Sequence, residues 1–139
     1  MSVAFVLGNG LSRKPIPLEP LKQHGKVYAC NAVYRTFTPD YLVAVDAKMI
    51  NEICTADAHR RMPVWTNPNR AYKKWNGLNF FEPSLGWSSG PTALYLATQK
   101  EHQLIYILGF DFIGNQDGKL NNIYGDTPNY KKNTDVATY

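Results

Sequence analysis

Four short apolar runs constrain most tightly how this chain can fold. They are rich in aliphatic and β-branched residues without clean alternation of apolar and polar side chains, and they are Val3–Leu7, Val27–Cys30, Tyr41–Val45 and Leu104–Leu108. Strands without such alternation are typical of a parallel sheet that is covered on both faces. The runs therefore predict an α/β fold with a mostly parallel sheet and helices on both faces.

Two segments between these runs carry helix signals. The stretch "SSGPTALYLATQKE", residues 88–101, opens with serines suited to a helix cap and has Pro91 in its first turn. The stretch "IPLEPLKQHG", residues 16–25, predicts a short helix that ends at Gly25. Residues 62–85 are rich in proline, asparagine and aromatic residues, and they predict a mostly irregular insertion with one short strand at Val64–Thr66.

Length and composition fit one domain with an apolar core, since the chain has 139 residues and 44% of them are hydrophobic. No apolar run is long enough to cross a bilayer and the start does not resemble a secretory signal, so we expect no membrane span and a cytoplasmic location. Cys30 and Cys54 lack the spacing of a metal site, which predicts two reduced thiols. The polar tail leaves open whether residues 1–139 are a minimal domain or a fragment.

Basic residues cluster between Asp57 and Lys74, where five cations accompany one acid: Arg60, Arg61, Arg70, Lys73 and Lys74. Aromatic residues interleave with them, a pattern that could face phosphate or nucleic acid. The alternative is a solvated face, and we do not expect a nucleic-acid partner because no recognised nucleic-acid module accompanies the cluster. Exposed aromatic residues between Trp65 and Trp87 would favour a homo-oligomer.

The first predicted strand ends in the tight turn Gly8-Asn9-Gly10, which brings bare backbone amides to the carboxyl edge of the sheet. Such amides suit an anion, although the turn could also be purely structural. A dinucleotide fingerprint would need glycine where Arg13 stands, and an acid where the second strand ends in Cys30-Asn31. A nicotinamide dehydrogenase is therefore not supported, and neither is a P-loop.

Polar residues follow the other predicted strands as well. Asn31 and Asp46 come after the second and third runs, and Asp111 follows Gly109 after the last. In a parallel sheet these positions meet at one edge, together with the start of the helix at Ser88-Ser89-Gly90. Asparagine amides can bind a base or ribose, and free helix amides can bind phosphate.

Four stretches in this order, "LGNGLS", "YACNAVY", "SSGPTALYLA" and "IYILGFDF", resemble the nucleotide-binding half of the bacterial sialyltransferases of glycosyltransferase family 42. They are also similar to the domain of unknown function 115 group, which includes archaeal pterin diphosphokinases. The resemblance covers roughly residues 3–113 in patches. It implies a single Rossmann-like domain that binds a cytidine-monophosphate sugar and requires no metal or other cofactor.

The resemblance also implies roles for individual residues. Asn9, Asn31 and Ser89 would hold the nucleotide, while Gly90 and the backbone near Gly109 would line its pocket. The remaining pocket residues that the resemblance and the turn predict are Gly8, Gly10, Ser88, Asp111 and Phe112, of which the last two would form the wall beside the base.

The chain departs from the sialyltransferase pattern at its catalytic groups. Ile113 stands where the family has a phosphate-binding tyrosine, and Tyr124 is the match for a second one. No histidine follows His102, so the family's catalytic base has no counterpart. Asp46 could act as the base or bind a metal, or it could cap the next helix or contact ribose.

Three functions stay open on this sequence. The first is a glycosyltransferase-like enzyme, with Asp46 and Tyr124 as its catalytic candidates. The second is a nucleotide-binding module without catalysis. The third is a diphosphokinase of the pterin type, which would need Mg²⁺ held by carboxylates such as Asp46 and Asp111.

Overall fold

The computed structural model describes residues 2–111, 119–120, 122–125, 127–129 and 134–135. These described residues include eight strands: β1 Val3–Leu7, β2 Lys26–Cys30, β3 Tyr41–Val43, β4 Val64–Thr66, β5 Leu78–Phe80, β6 Leu104–Leu108, β7 Lys119–Leu120 and β8 Thr134–Asp135. They also include two α-helices, α1 Ala47–Thr55 and α2 Ser89–Gln99. Five 3₁₀ segments complete the described elements: Leu11–Arg13, Glu19–Gln23, Asn31–Arg35, Ala58–Arg60 and Arg70–Lys74.

Six strands form one parallel sheet in the order β5-β4-β3-β2-β1-β6. The chain moves outward from β1 through β5 and then returns to place β6 on the other side of β1. The strand order therefore reverses between β1 and β6, which is where α/β sheets of this kind often bind ligands. The predicted α/β class is confirmed, and the sheet is consistent with a Rossmann-like domain.

Both faces of the sheet are covered by apolar side chains. On β1, Phe5 and Leu7 point to the face that packs against α1, while Ala4 and Val6 point to the face that packs against α2. Successive side chains of a strand alternate between faces, so two buried faces require apolar residues at consecutive positions. This explains why the strand sequences show no alternation.

Most strand predictions agree with the structure, and two other predictions were wrong. β1, β4 and β6 have the predicted bounds, while β3 ends at Val43 rather than Val45. The helix predicted over residues 16–25 is only the 3₁₀ segment Glu19–Gln23, because three prolines nearby restrict the backbone and remove amide donors. The insertion predicted as irregular contains β5, which pairs with β4.

No helix in the described part of the chain has both the length and the apolar character needed to cross a membrane.

Candidate functional site

The predicted site lies at the carboxyl edge of the sheet, where the ends of β2, β3 and β4 are level. Cys30 pairs with Val43 and Val43 with Trp65, so the residues that follow these three strands emerge side by side. Neighbouring strands lie about 5 Å apart, so the ends of β2 and β4 are separated by about 10 Å. That span suits a nucleoside.

The loops after β1 and β6 bind each other. The Gly8 amide donates to the carbonyl of Leu108 over 2.7 Å, and the Gly10 amide donates to the carbonyl of Gly109 over 2.8 Å. A Cβ atom on Gly8 would lie 2.5 Å from the Gly109 carbonyl oxygen. The glycines are thus required for the close approach of two loops, and the two amides that the sequence offers to an anion are already bonded.

Asp111 is bound by Ser12 in the loop after β1. The backbone amide of Ser12 donates to Asp111 Oδ2 over 2.9 Å, and the Ser12 hydroxyl donates to Oδ1. The carboxylate accepts from the loop as a bound anion would. Of the two residues predicted as the wall beside the base, Asp111 therefore contacts the β1 loop, and Phe112 lies outside the described residues.

Asn9 uses its whole side-chain amide within the fold. Its Nδ2 donates to the carbonyl of Cys30 over 3.1 Å, and its Oδ1 accepts from Arg13 Nη2 over 3.0 Å. Arg13 also donates from Nε to the Gly8 carbonyl over 2.8 Å. The predicted nucleotide contact of Asn9 would therefore require its backbone, or a change of partners.

Arg13 is the residue at this edge that the sequence argument missed. Arg13 is only 4% exposed and makes no salt bridge with a described residue. It stands where a dinucleotide fingerprint would have its third glycine, and a cation three residues after the Gly-Asn-Gly turn was the available signal. Burial raises the pKa of the neighbouring Cys30 thiol to about 12, an effect that the positive charge of Arg13 opposes.

Asn31 is the clearest candidate for a ligand contact. It follows β2 directly and has a left-handed backbone with φ of 54°. Its Oδ1 atom is buried and finds no hydrogen-bond partner among the described residues. The Oδ1 atom of Asn67, which follows β4, is likewise buried and without a hydrogen-bond partner among the described residues. A buried acceptor without a partner costs about 1–3 kcal/mol, so two of them at one edge indicate a place for a donor-rich ligand or water.

Asp46 caps α1, which is one of the roles that the sequence left open for it. Its Oδ1 atom accepts from the Lys48 amide over 3.1 Å, and the side chain is exposed. Burial raises the pKa of the Tyr72 phenol, and the negative charge of Asp46 acts in the same direction. Asp46 therefore holds the start of α1 just beyond the carboxyl end of β3.

The start of α2 is attached to the end of β3. Ser89 is buried, and its hydroxyl oxygen accepts from the Val45 amide over 3.1 Å. Ser88 precedes it as the cap residue, and its exposed side chain makes no capping bond to the helix. Gly90 lies against the ring of Phe110, which a Cβ atom would approach to 3.4 Å. This places the amide end of α2 beside Asp46.

Tyr124 lies on a segment that crosses the ends of β1 and β2. The Ile123 amide donates to the Asn9 carbonyl over 2.9 Å. The Tyr124 ring packs against the core on the α1 face, with the Arg35 guanidinium 5.8 Å from its centroid. Tyr124 therefore borders the candidate site on the side away from Asp46.

An ion-pair cluster on Glu52 holds this segment. Arg35 binds both carboxylate oxygens of Glu52, over 2.6 and 2.9 Å, and the Tyr34 hydroxyl donates to the same carboxylate. Arg35 also donates to Thr127 Oγ1 over 3.0 Å, and Asn129 Nδ2 donates to Glu52 over 3.1 Å. The cluster was not predicted from the sequence, because its members lie far apart along the chain.

The predicted site residues thus fall into two groups at the same edge. Those of the β1 and β6 loops bond mainly to each other: Gly8, Asn9, Gly10, Gly109 and Asp111. The others follow β2 and β3 or begin α2, and each has an unpartnered oxygen or an exposed side chain, or lies next to such a residue: Asn31, Asp46, Ser88, Ser89 and Gly90. Within the described ranges no three His, Cys, Asp or Glu side chains gather in a way that could hold a metal ion.

No family model, no curated protein and no solved structure matches this chain.

Proposed function

We propose that the chain binds a nucleoside phosphate, as a nucleotide sugar of the cytidine-monophosphate type, at the carboxyl edge formed by β2, β3 and β4. The pair of buried, unpartnered oxygens on Asn31 and Asn67 carries this proposal. Ribose hydroxyls and the amino group of a base are donors that would satisfy both oxygens. Asn31 and Asn67 follow strands that lie about 10 Å apart in the sheet, a span that suits a nucleoside better than a single water.

The phosphate would lie at the start of α2. The Ser88 hydroxyl makes no capping bond there, and the amides of the first turn carry the positive end of the helix dipole. Arg13 adds a positive charge that no described carboxylate neutralises by a salt bridge. These groups would balance a phosphate charge, so the proposal requires no metal or other cofactor.

The reaction of this proposal is an inverting transfer of the sugar. The acceptor hydroxyl oxygen attacks the anomeric carbon, the bond from that carbon to the phosphate oxygen breaks, and the nucleotide leaves with the electron pair. Asp46 takes the proton of the acceptor hydroxyl, and the Ser88 hydroxyl and the first-turn amides of α2 donate to the leaving phosphate. One oxygen of the exposed Asp46 carboxylate accepts the capping bond of α1, and the other is available to accept this proton.

Two alternative functions remain, and the contacts at this edge favour them unequally. A nucleotide-binding module without catalysis uses the same edge and requires neither a general base nor an acceptor subsite. The diphosphokinase is less favoured, because the Asp111 carboxylate that it needs for Mg²⁺ is already bonded by Ser12. A cytoplasmic location is part of the proposal, since Cys30 and Cys54 are both free thiols.

A melting-temperature titration with CMP, CDP, UDP and ATP, with and without Mg²⁺, tests the nucleotide site. A ligand at 100 times its Kd stabilises the fold by about 2.7 kcal/mol, which raises the Tm by several degrees. We expect a rise with CMP and CDP that needs no metal. A rise with ATP only in the presence of Mg²⁺ would support the diphosphokinase instead, and no rise with any nucleotide would overturn the proposal.

Asn31→Gly is the variant that reports on the site itself. Glycine accepts a φ of 54° without strain, so the change removes the amide group and leaves the loop conformation in place. We expect at least about tenfold weaker CDP binding with little change in the Tm of the free protein. The control is Asn51→Ala, which removes an amide group from the exposed face of α1 and should bind CDP like the unmodified chain. Alanine is used at this position because glycine would destabilise the helix interior.

We also propose that two copies associate through β6. Its outer edge pairs with no described strand, and two of its side chains are about half exposed, Tyr106 at 48% and Ile107 at 50%. The strand reads Leu-Ile-Tyr-Ile-Leu in both directions. An antiparallel pair of copies would therefore place like residues opposite one another, as a two-fold interface requires. The earlier expectation had put self-association at the aromatic residues between Trp65 and Trp87.

Ile107→Lys is expected to convert a dimer to a monomer, because it places a charge in the apolar edge that the copies share. Light scattering coupled to size-exclusion chromatography measures the mass. Trp87→Lys is the matched control, since Trp87 is 49% exposed and lies outside β6. A dimer that persists in Ile107→Lys and dissociates in Trp87→Lys would assign the interface to the aromatic region instead.

A further inference from the structure

An open cleft lies on the flank of the sheet, between edge strand β5 and the 3₁₀ segment Arg70–Lys74. It has a volume of about 460 Å³. Three aromatic rings line it, those of Tyr72, Trp75 and Phe80, and two cations join them, Arg70 and Lys73. No carboxylate is found among its described lining residues. The cleft therefore combines flat apolar surfaces with unopposed positive charge.

The aromatic wall is fixed by backbone bonds. Asn69 caps the 3₁₀ segment, since its Oδ1 atom accepts from the Ala71 amide over 2.9 Å. The Trp75 amide donates to the Tyr72 carbonyl over 2.9 Å, and Tyr72 is 5% exposed. The edge of the Trp75 ring meets the buried His59, with 6.1 Å between ring centroids. These contacts hold the rings in place before any ligand arrives.

Arg70 and Lys73 point to the same side of their segment, because residues three apart are eclipsed in a 3₁₀ helix. Both are exposed, and neither forms a salt bridge within the described part of the chain. Arg60, from the same basic stretch, is instead paired with Asp57 over 3.6 Å. Two adjacent cations match one carboxylate or phosphate group, whereas a nucleic-acid strand needs a track of cations along several phosphates.

The cleft begins beside the proposed nucleotide site, since its lining residue Pro68 directly follows Asn67. Phe80 pairs in register with Thr66, the last residue of β4, so it lies at the level of the carboxyl edge. Asp46 follows β3, which is two strands from β5 in the sheet, so it lies at the same edge. A molecule that extends from the cleft along this edge would approach Asp46.

We infer that this cleft is the acceptor subsite and that it binds an acidic sugar, an inference that rests on the proposed transferase function. The apolar face of the sugar ring packs on Trp75 and Phe80. Its carboxylate or phosphate is held by Arg70 and Lys73, and this leaves a hydroxyl on the opposite side of the ring for the carboxylate of Asp46.

The test is a titration of the full chain with trigalacturonic acid, with the neutral maltotriose and with a hexameric oligothymidylate. The readout is the set of tryptophan indole signals in a proton–nitrogen correlation spectrum, with Trp75 assigned by the loss of its signal in Trp75→Phe. We expect trigalacturonic acid to shift the Trp75 signal at concentrations where maltotriose does not. Stronger binding of oligothymidylate, equal binding of maltotriose or no shift with any probe would overturn the inference.

A charge-matched pair of variants makes the test specific. Arg70→Gln with Lys73→Gln should weaken trigalacturonic acid binding by about tenfold or more. The control double variant, Lys26→Gln with Arg61→Gln, also removes two positive charges, from exposed positions at the amino edge of the sheet. It should bind trigalacturonic acid like the unmodified chain. Equal weakening in both double variants would mean that only net charge matters, and the site would be rejected.

CDP added to the same samples separates the two proposals. If CDP binds and trigalacturonic acid does not, this inference fails while the proposed nucleotide site stands. If trigalacturonic acid binds and CDP does not, the proposed transferase function fails, together with the acceptor role of the cleft.

Discussion

Replacing Gly109 with alanine is expected to destabilise the fold by about 2–5 kcal/mol. Gly109 has a φ of 76°, where a residue with a Cβ atom is strained by about 1–2 kcal/mol. The added Cβ atom would also lie 2.6 Å from the Gly8 carbonyl oxygen, which belongs to the other loop of the reversal point. Relief of such overpacking by backbone shifts costs about 1–3 kcal/mol more. Urea denaturation followed by circular dichroism measures the change in the free energy of unfolding.

Gly86→Ala is the matched control for this prediction. Gly86 has a similar φ of 71°, but nothing lies within 4 Å of the position its Cβ atom would take. It should lose about 1–2 kcal/mol from backbone strain alone. The difference between the two variants isolates the close approach of the β1 and β6 loops. Equal losses would show that the two loops are farther apart than this structure has them.

The sequence predicted the strands well because two buried faces leave little choice of residue. Consecutive apolar positions in β1 and β2 are needed to fill both layers, and the bounds of β1 could be read directly. β5 could not be found in this way, since Leu78-Asn79-Phe80 carries a polar residue at its centre. Asn79 Nδ2 donates to the Val64 carbonyl over 3.3 Å, so the strand is recognisable only from its neighbour.

The gathering of the candidate residues at one edge of the sheet was also predictable, but the hydrogen bonding of each polar residue was not. Asn9 and Asn31 both follow a buried strand, and nothing local in the sequence distinguishes them. The Asn9 side chain hydrogen-bonds to Arg13 and to the Cys30 carbonyl, whereas the Oδ1 atom of Asn31 has no partner among the described residues. The difference depends on the neighbouring strand and on a cation four residues along the chain, so it is a property of the assembled sheet.

The Glu52 cluster is a further feature that only the tertiary structure shows. Arg35 and Tyr34 lie at the end of the 3₁₀ segment after β2, Glu52 lies on α1, and Asn129 lies beyond Tyr124. Burial alone would raise the pKa of Glu52, but the hydrogen bonds from Arg35 and Tyr34 outweigh it and the net pKa is lowered. Burial and the Glu52 carboxylate raise the pKa of Tyr34 to about 12, so its hydroxyl stays protonated as a donor.

Glu52→Gln is therefore expected to destabilise the fold by about 2 kcal/mol at pH 7, since it removes a charged acceptor that serves four donor groups on three residues. A carboxylate whose pKa is lowered on folding contributes its stability above the unfolded pKa, and that contribution is lost as the pH falls through the folded value. The gap between the unmodified chain and Glu52→Gln should thus be widest near neutral pH and should shrink steadily below about pH 4. Urea unfolding at a series of pH values measures this gap.

Glu19→Gln, at an exposed position without an ion pair to a described residue, is the control and should show almost no gap at any pH. A gap for Glu52→Gln that stays constant into acid would mean that the substitution acts through packing, and that the Arg35 pair does not hold the segment bearing Tyr124 by charge.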